Sequence, residues 1–379
     1  MAIRDEYLLK FNPFQPAASG LPLIVDPWLP KSWETALDNH LLHFSQSNGP
    51  RVLPIIGAYG SGKSYVLQWL ARYRLPDLGI QPYYFDNPGL RFYDLANNLL
   101  RFVGRREFAK IIWELARAFI EPKQLTLFEP SFDEYIAMSS SPQRRTKSLE
   151  LMEQGILKAG ITADEEIANR LARIPVDLAK KPFFEYRDFV PSSTALVAER
   201  QEVAYFRAIL EVLTRAYGLR AVAFLIDEFE EISLGRTMSS RDAQDYFTTM
   251  KRLVNAAEEF DLWIFLSMTE DAYQKTRQMN EALVERFGES EQAGFRIPPL
   301  TPKDGAELTR VRLRAARKDA GKVPHDLWPF PENFPEGLSP AIQSKPRLLV
   351  QLAFHAIAES GEPPFDQNYL GQVSKRVPV

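Results

Sequence analysis

The sequence predicts an α/β fold: a parallel sheet flanked by helices, interrupted by a partly helical insertion and followed by a small all-helical C-terminal region. Three observations carry this. Arg51–Ile56, Ile80–Phe85, Ala221–Ile226 and Leu262–Leu266 are strand-length runs, and Ala221–Ile226 is continuously apolar, as in a strand covered on both faces. Segments of helical periodicity separate these runs. After Pro299 the strand signals stop and only helical patterns remain.

Residues 1–30 carry Pro13, Pro16, Pro22, Pro27 and Pro30, the mark of an N-terminal segment that wraps over a domain and stays out of its core. Ser32–Phe44 sets Trp33, Ala36, Leu37, Leu41 and Leu42 at helical spacing, and Asn48-Gly49-Pro50 ends that helix. The strand Arg51–Ile56 runs into the glycine-rich turn Gly57–Gly62. The helix Lys63–Tyr73 follows, with Val66, Leu67 and Leu70 on one face. Ile80–Phe85 ends at Asp86 and Asn87, and Leu90–Phe102 and Glu107–Ile120 form a helix pair. Residues 121–197 differ. Prolines recur at 122, 130, 142, 175, 182 and 191 around the polar run Ser139–Lys147, so an insertion is expected, with helices near Ser148–Ala159 and Ala163–Leu171 and a mobile loop. Glu199–Tyr217 places Val203, Phe206, Leu210 and Leu213 on a helix that Gly218 closes, and Arg241–Phe260 is another helix. Thr301–Ala320, Ser339–Ile342 and Arg347–Glu359 complete the helical C-terminal region. The expected divisions are 1–30, a sheet domain built from 31–120 and 198–299, the insertion 121–197, and 300–379.

With 379 residues the chain has mass for two or three domains, and 45% hydrophobic and 25% charged residues are ordinary globular values. A net charge of -3 confines any nucleic-acid contact to local patches. The absence of cysteine excludes disulfides, thiolate metal sites and cysteine nucleophiles. His40, His43, His325 and His355 form no metal-ligand pattern. The N-terminus has no signal-peptide run and no segment is long enough to span a bilayer, so a cytoplasmic protein without membrane contact is expected.

Gly57-Ala58-Tyr59-Gly60-Ser61-Gly62-Lys63-Ser64 fits the pattern G-x-x-x-x-G-K-[ST], between a strand and a helix. Glycines there let backbone N–H groups converge on phosphate oxygens, and the helix start presents its positive end to them. Lys63 is suited to the β and γ phosphates of ATP and Ser64 to Mg²⁺. Gly57 through Ser64, with Tyr65, are therefore the candidate nucleotide-binding residues. Phe224-Leu225-Ile226-Asp227-Glu228 supplies a second element: Asp227 at a strand end to hold the magnesium, directly or through water, and Glu228 to polarise the attacking water. Glu230 and Glu231 read as surface or helix-start charges. At the tip of the strand beginning at Leu262, Thr269 is the candidate polar contact to the γ-phosphate, with Ser267 as alternate; the competing reading is a hydroxyl that caps the next helix.

Taken together, a Walker A loop, a strand ending Asp-Glu, a strand with a polar tip and a helical C-terminal region resemble the AAA+ superfamily of P-loop ATPases. The chain is most similar to the branch holding replication initiators and transposon target-selection ATPases, and to the P-loop ATPases of BREX-type phage-defence loci. The likeness covers residues 33–119 and 199–358, and the helical region would then be a lid. It implies ATP hydrolysis with Mg²⁺, homo-oligomerisation, and action on DNA or a DNA-bound complex in phage defence or mobile-element biology. By likeness, Arg286 in Glu285-Arg286-Phe287 matches an arginine that reaches a neighbouring subunit's γ-phosphate, its alternative being a surface arginine. Arg347 in Lys345-Pro346-Arg347 resembles the lid arginine that senses nucleotide in its own chain. The chain departs from the family in the 164 positions separating Lys63 from Asp227, an excess that 121–197 accounts for.

Three basic clusters are candidates for phosphate-backbone contact: Arg310, Arg314 and Arg317 with Lys303, Arg312, Lys318 and Lys322; Arg101, Arg105, Arg106 and Lys110; and Arg144, Arg145 and Lys147. For any one of them the alternative is a solvated face. A second functional class stays open: a nucleotide-gated scaffold that hydrolyses slowly and holds a partner protein through 121–197.

Overall fold

The computed structural model describes residues 4–14, 25–46, 51–87, 89, 92–121, 123–124, 131–138, 142–182, 184–190, 195–233, 239–256, 262–287, 294–359 and 361–377. The elements run α1 (Lys31–Gln46), β1 (Arg51–Ile56), α2 (Lys63–Trp69), which continues through a π turn at Leu70–Arg74 into α3 (Leu75–Asp77), and β2 (Ile80–Phe85). Next come α4 (Phe92–Val103), α5 (Arg105–Arg117), α6 (Phe132–Met138), α7 (Pro142–Lys158), α8 (Glu165–Val176), α9 (Tyr186–Phe189) and α10 (Ala195–Tyr217). β3 (Ala221–Ile226), α11 (Glu230–Ser233), α12 (Ser240–Ala256), β4 (Leu262–Met268), α13 (Glu270–Met279), α14 (Glu281–Val284) and β5 (Phe295–Arg296) complete the sheet region. α15 (Pro302–Ala316), α16 (Pro340–Ser344), α17 (Pro346–Ala358) and α18 (Gln367–Ser374) follow.

The five strands form one parallel sheet in the order β2-β3-β4-β1-β5. Strand side chains alternate between two cores, as the two-residue period of a strand requires. Val52, Ile56, Val222, Phe224, Ile226, Ile264 and Leu266 face one way, and Leu53, Ile55, Ala223, Leu225, Trp263 and Phe265 the other. β3 and β4 are buried at every position, which is why Ala221–Ile226 and Leu262–Leu266 read as unbroken apolar runs. Phe224 is fully buried and meets Phe85 edge-on at 5.4 Å and Phe206 at 5.8 Å, pairs worth about 0.5–1.5 kcal/mol each beyond area burial. Pro82 fits because β2 is an edge strand, where a missing N–H removes no ladder bond.

The crossover direction sets where a site can form. From β1 the chain moves to the far edge β2, and α2 packs on the second core. From β2 it steps back through β3 and β4 to β5, and α4, α5, α10, α12 and α14 pack on the first core. Right-handed crossovers running in opposite directions must lie on opposite faces. The connections therefore part at the C-terminal end of β1, leaving the crevice where open α/β sheets bind ligands.

Several expectations need correction. The N-terminal segment does enter the core: Tyr7, Leu9 and Phe14 are buried against the C-terminal helices, and Leu9 forms an antiparallel bridge with Arg317. A proline-rich strand segment can do so because Lys10 N–H donates to Ala316 O (2.8 Å) and Lys318 N–H to Leu8 O (2.9 Å), which satisfies its backbone. Of the polar run Ser139–Lys147, residues 142–147 form the first turns of α7 rather than a loop, and 139–141 lie outside the described residues. α7 and α8 share the first core with the sheet helices, and Gly155 lets α7 close on α5: a Cβ there would sit 2.6 Å from Ala116 O. The two-residue β5, the helices α13, α14 and α18, and the end of α15 at Ala316 are further differences from the expected pattern.

Candidate functional site

The loop Gly57–Gly62 leaves the end of β1 into the crevice. Gly57 N–H donates to Met268 O (3.2 Å) and Ile297 N–H to Ile56 O (2.8 Å), so the loop is rooted on β4 and β5. Its turn requires glycine: Gly60 has φ +77° and Gly62 φ +104°, and a Cβ on Gly60 would come within 3.1 Å of Arg347 Cβ. Arg347 in turn donates its backbone N–H to Gly60 O (3.3 Å) and stacks its guanidinium over the exposed Tyr59 ring at 4.4 Å. The N-terminus of α17 is thereby fastened to the loop.

Lys63 opens α2 and is 8% exposed. Its ammonium lies 3.2 Å from Gly57 O and 3.8 Å from the Glu230 carboxylate. Glu230, expected as a surface or helix-start charge, does start the short helix α11, with its side chain half-buried and turned toward Lys63. Burial raises its carboxyl above the ordinary range, and Lys63 pulls it back down.

Asp227 is 1% exposed and held on three sides. Its N–H donates to Phe85 O on β2 (2.8 Å). Its Oδ1 accepts from the Ser267 hydroxyl and from Glu228 N–H (3.0 Å), and its Oδ2 from the Tyr84 hydroxyl (2.7 Å). Tyr84 also hydrogen-bonds Gln68 of α2. Burial, followed by the Asp227 charge, drives its phenol far above the ordinary value, so it stays a donor. Glu228 N–H also reaches Ser267 Oγ (3.1 Å), and Phe229 N–H donates to Ser267 O (3.0 Å). The ends of β3 and β4 are thus locked together, with Glu228 held in the left-handed region at φ +52°, a conformation that costs a non-glycine residue about 1–2 kcal/mol. Partial burial, then Asp227, Glu231, Glu230 and Asp86, raise the Glu228 carboxyl. Such a carboxylate is a stronger base than a solvated one.

Other expected residues fall differently. The Thr269 hydroxyl accepts from Ala272 N–H (3.3 Å) as the cap of α13, and Ser267, fully buried, donates to Asp227. The Tyr65 side chain is turned from the loop, its hydroxyl accepting from Trp28 N–H (2.8 Å) and its ring lying under Arg312. Ser64 and Ala58 lie on the loop and first turn beside Lys63, and Ser61 Oγ packs against Gly57. Arg286 is exposed on a single turn of 3-10 helix, Glu285–Phe287, that packs beside β1. Sequence reasoning missed Glu230 and Tyr84. A tyrosine next to the C-terminal end of β2, half-buried with a hydroxyl that needs a partner, was the available signal for the second.

Of the basic clusters, Arg312 and Arg317 are buried within the fold, and several others form surface ion pairs. Arg317 and Arg312 are each 8% exposed, donating to the carbonyls of Tyr7, Asp326 and Trp328 and of Pro13, because α15 ends where the N-terminal segment crosses it. The expected face of Arg310, Arg314 and Arg317 therefore does not form. Arg310 pairs with Glu307, Lys318 with Asp5, Lys322 with Asp319, Arg106 with Asp133, Lys110 with Glu114, Arg145 with Asp177 and Lys147 with Glu150.

Among the described residues no three His, Cys, Asp or Glu side chains converge as a metal cage, and no helix is long and apolar enough to cross a membrane. Asp227 accepts three hydrogen bonds out of about four a carboxylate can take. That donor set suits a hard cation that keeps most of its waters and takes one or two protein oxygens, as Mg²⁺ does. Compared with known proteins, the chain matches no family model, no curated protein and no solved structure.

Proposed function

We propose that this chain is a P-loop ATPase, with Gly57–Ser64 as the phosphate cradle and Asp227 and Glu228 as the metal and water-activating pair. One observation carries this: two segments 164 positions apart in sequence converge, so that the Lys63 ammonium lies 3.8 Å from Glu230, three residues beyond Asp227, at the C-terminal crevice of a parallel sheet. Backbone N–H groups of Gly60 to Ser64 would bind the β-phosphate, and Lys63 would bridge to the γ-phosphate. Ser64 Oγ and the remaining lone pair of Asp227 would hold Mg²⁺, which when bound neutralises developing phosphate charge.

Ser267 and Tyr84 fix the Asp227 carboxylate so that it need not reorganise. Glu228 would take a proton from the attacking water as its oxygen bonds to the γ-phosphorus and the bond to the ADP oxygen breaks. Arg347, already seated on the loop, is the lid arginine of this scheme, and Arg286 the arginine offered to a neighbouring copy in a homo-oligomer. With Arg312 and Arg317 buried and the face they were to share with Arg310 and Arg314 unformed, action on DNA draws less support than nucleotide hydrolysis.

Steady-state ATP hydrolysis of wild type, Lys63→Ala and Glu228→Gln, with and without duplex DNA, tests the proposal. Turnover is expected in wild type only, with Glu228→Gln binding ATP but stalling and Lys63→Ala failing to bind. ATP binding without turnover in any condition would replace hydrolysis with the nucleotide-gated scaffold. Turnover surviving Lys63→Ala would overturn the site.

A further inference from the structure

The Lys63 ammonium, which the ATPase reading places at the terminal phosphate, has two partners within its own chain. It is buried and shared between a backbone carbonyl, Gly57 O at 3.2 Å, and the Glu230 carboxylate at 3.8 Å. The backbone enforces this second contact. Phe229 is fully buried, with its N–H on Ser267 O, and Glu231 N–H closes a turn onto Glu228 O. The adjacent Glu231 side chain points elsewhere, to the amide of Asn87 at 3.0 Å. Glu230 is therefore delivered to Lys63 by the same turn that positions Asp227 and Glu228.

A carboxylate oxygen is, like a phosphate oxygen, an anionic acceptor for that ammonium. The Glu230 carboxylate also sits in a crowd of like charges, Asp227, Glu228 and Glu231, whose effect on it Lys63 opposes. A γ-phosphate reaching Lys63 must displace Glu230 or be repelled by it. A diphosphate offers Lys63 only its β-phosphate oxygens and so leaves one of the three ammonium donors for Glu230.

Resting on the ATPase reading, we infer that Glu230 is an internal surrogate for the γ-phosphate, which weakens triphosphate binding relative to diphosphate and recaptures Lys63 once the cleaved phosphate departs. Glu230 thus sets the triphosphate-to-diphosphate preference of the site without touching the reacting atoms.

The test is calorimetric titration of the full chain with Mg²⁺ and either adenylyl imidodiphosphate, a non-hydrolysed triphosphate, or ADP. Glu230→Gln is nearly isosteric and removes only the charge. It is expected to tighten the triphosphate about tenfold, within what one partly buried ion pair supports, and ADP by less than about twofold. Glu230→Ala should shift the ratio the same way, and Glu231→Gln should leave both constants alone. Equal tightening of both ligands, or a weaker triphosphate in Glu230→Gln, overturns the surrogate role while the ATPase reading stands. Failure of wild type and both variants to bind either nucleotide overturns the two together.

Discussion

Two hydroxyls at the end of β4, Ser267 and Thr269, compete for one role, and substituting each separates them. Ser267 is fully buried, donates to Asp227 Oδ1 and accepts Glu228 N–H at 3.1 Å. Ser267→Ala removes a hydrogen bond to a buried carboxylate, which is worth about 1.5–3 kcal/mol. Glu228 N–H keeps Asp227 Oδ1 as acceptor at 3.0 Å, so its loss is small. A stability loss near 2 kcal/mol is expected. If a comparable amount of Asp227 orientation is lost in the transition state, turnover falls about ten- to a hundredfold, since each 1.36 kcal/mol is a factor of ten. Thr269→Ala costs the α13 cap, about 1 kcal/mol of stability, and should leave turnover within about twofold. Urea unfolding midpoints and ATP turnover measured on the same preparations give both numbers. A Thr269→Ala protein that stops hydrolysing while Ser267→Ala turns over normally would refute the assignment of Ser267 to Asp227.

Further expectations follow from the same geometry. Gly60→Ala forces a Cβ into the left-handed region beside Arg347 Cβ at 3.1 Å; it should cost about 1–2 kcal/mol and weaken nucleotide binding, and unchanged melting and binding would show that the turn tolerates a side chain. Glu228 has a folded-state pKa raised by burial and by Asp227, so its contribution to stability is intact below the ordinary carboxylate range and is lost as pH rises through the folded value. Glu228→Gln should accordingly melt higher than wild type at pH 7, with the gain vanishing near pH ~4; a gain that grows on acidification contradicts the sign. Tyr7→Ala removes a fully buried ring packed edge-on against Phe365 at 5.5 Å and should cost about 3–5 kcal/mol, whereas a midpoint shift within 0.5 kcal/mol, roughly the range of a surface substitution, would place the N-terminal segment outside the core.

What was legible in the sequence was local. β1, β2 and β3 begin and end where the runs predicted, β3 because unbroken burial leaves an unbroken apolar pattern, and the loop after β1 is defined by eight adjacent residues. What was not legible depends on partners distant in the chain. Ser267 is a polar residue inside an otherwise apolar strand, and a buried hydroxyl there demands a partner; strand order puts Asp227 next to it, but no spacing does. Glu230 read as a surface or helix-start charge; it does start α11, but nothing local announces the turn that brings it to Lys63. Arg310, Arg314 and Arg317 share a helical face on paper, yet α15 stops at Ala316, and the carbonyls that bury Arg317 come from residues 7, 326 and 328. Helical periodicity holds only while the helix lasts.

The long interval between Lys63 and Asp227 follows from the sheet order. β2 and β3 are parallel neighbours, so any chain joining them must leave one end of the sheet and return to the other along a face. The described helices of that interval, α4 to α10, stay on the first core, alongside Tyr83, Phe85, Val222 and Phe224. The loop after β1 and α2 lie over the opposite core. Lengthening such a crossover costs little closure entropy, about 0.6 kcal/mol per doubling, and α7 and α8 offset that by burying Leu151, Met152, Ile156, Ala168 and Leu171 against α5. Because the added mass enters and leaves on one face, the register of β3 against β2 and β4 is unbroken, from Ile80 opposite Ala221 to Ile226 opposite Leu266. The tips carrying Lys63 and Asp227 therefore meet at a separation set by the sheet, and the sequence distance between them has no bearing on whether the two groups work as one site.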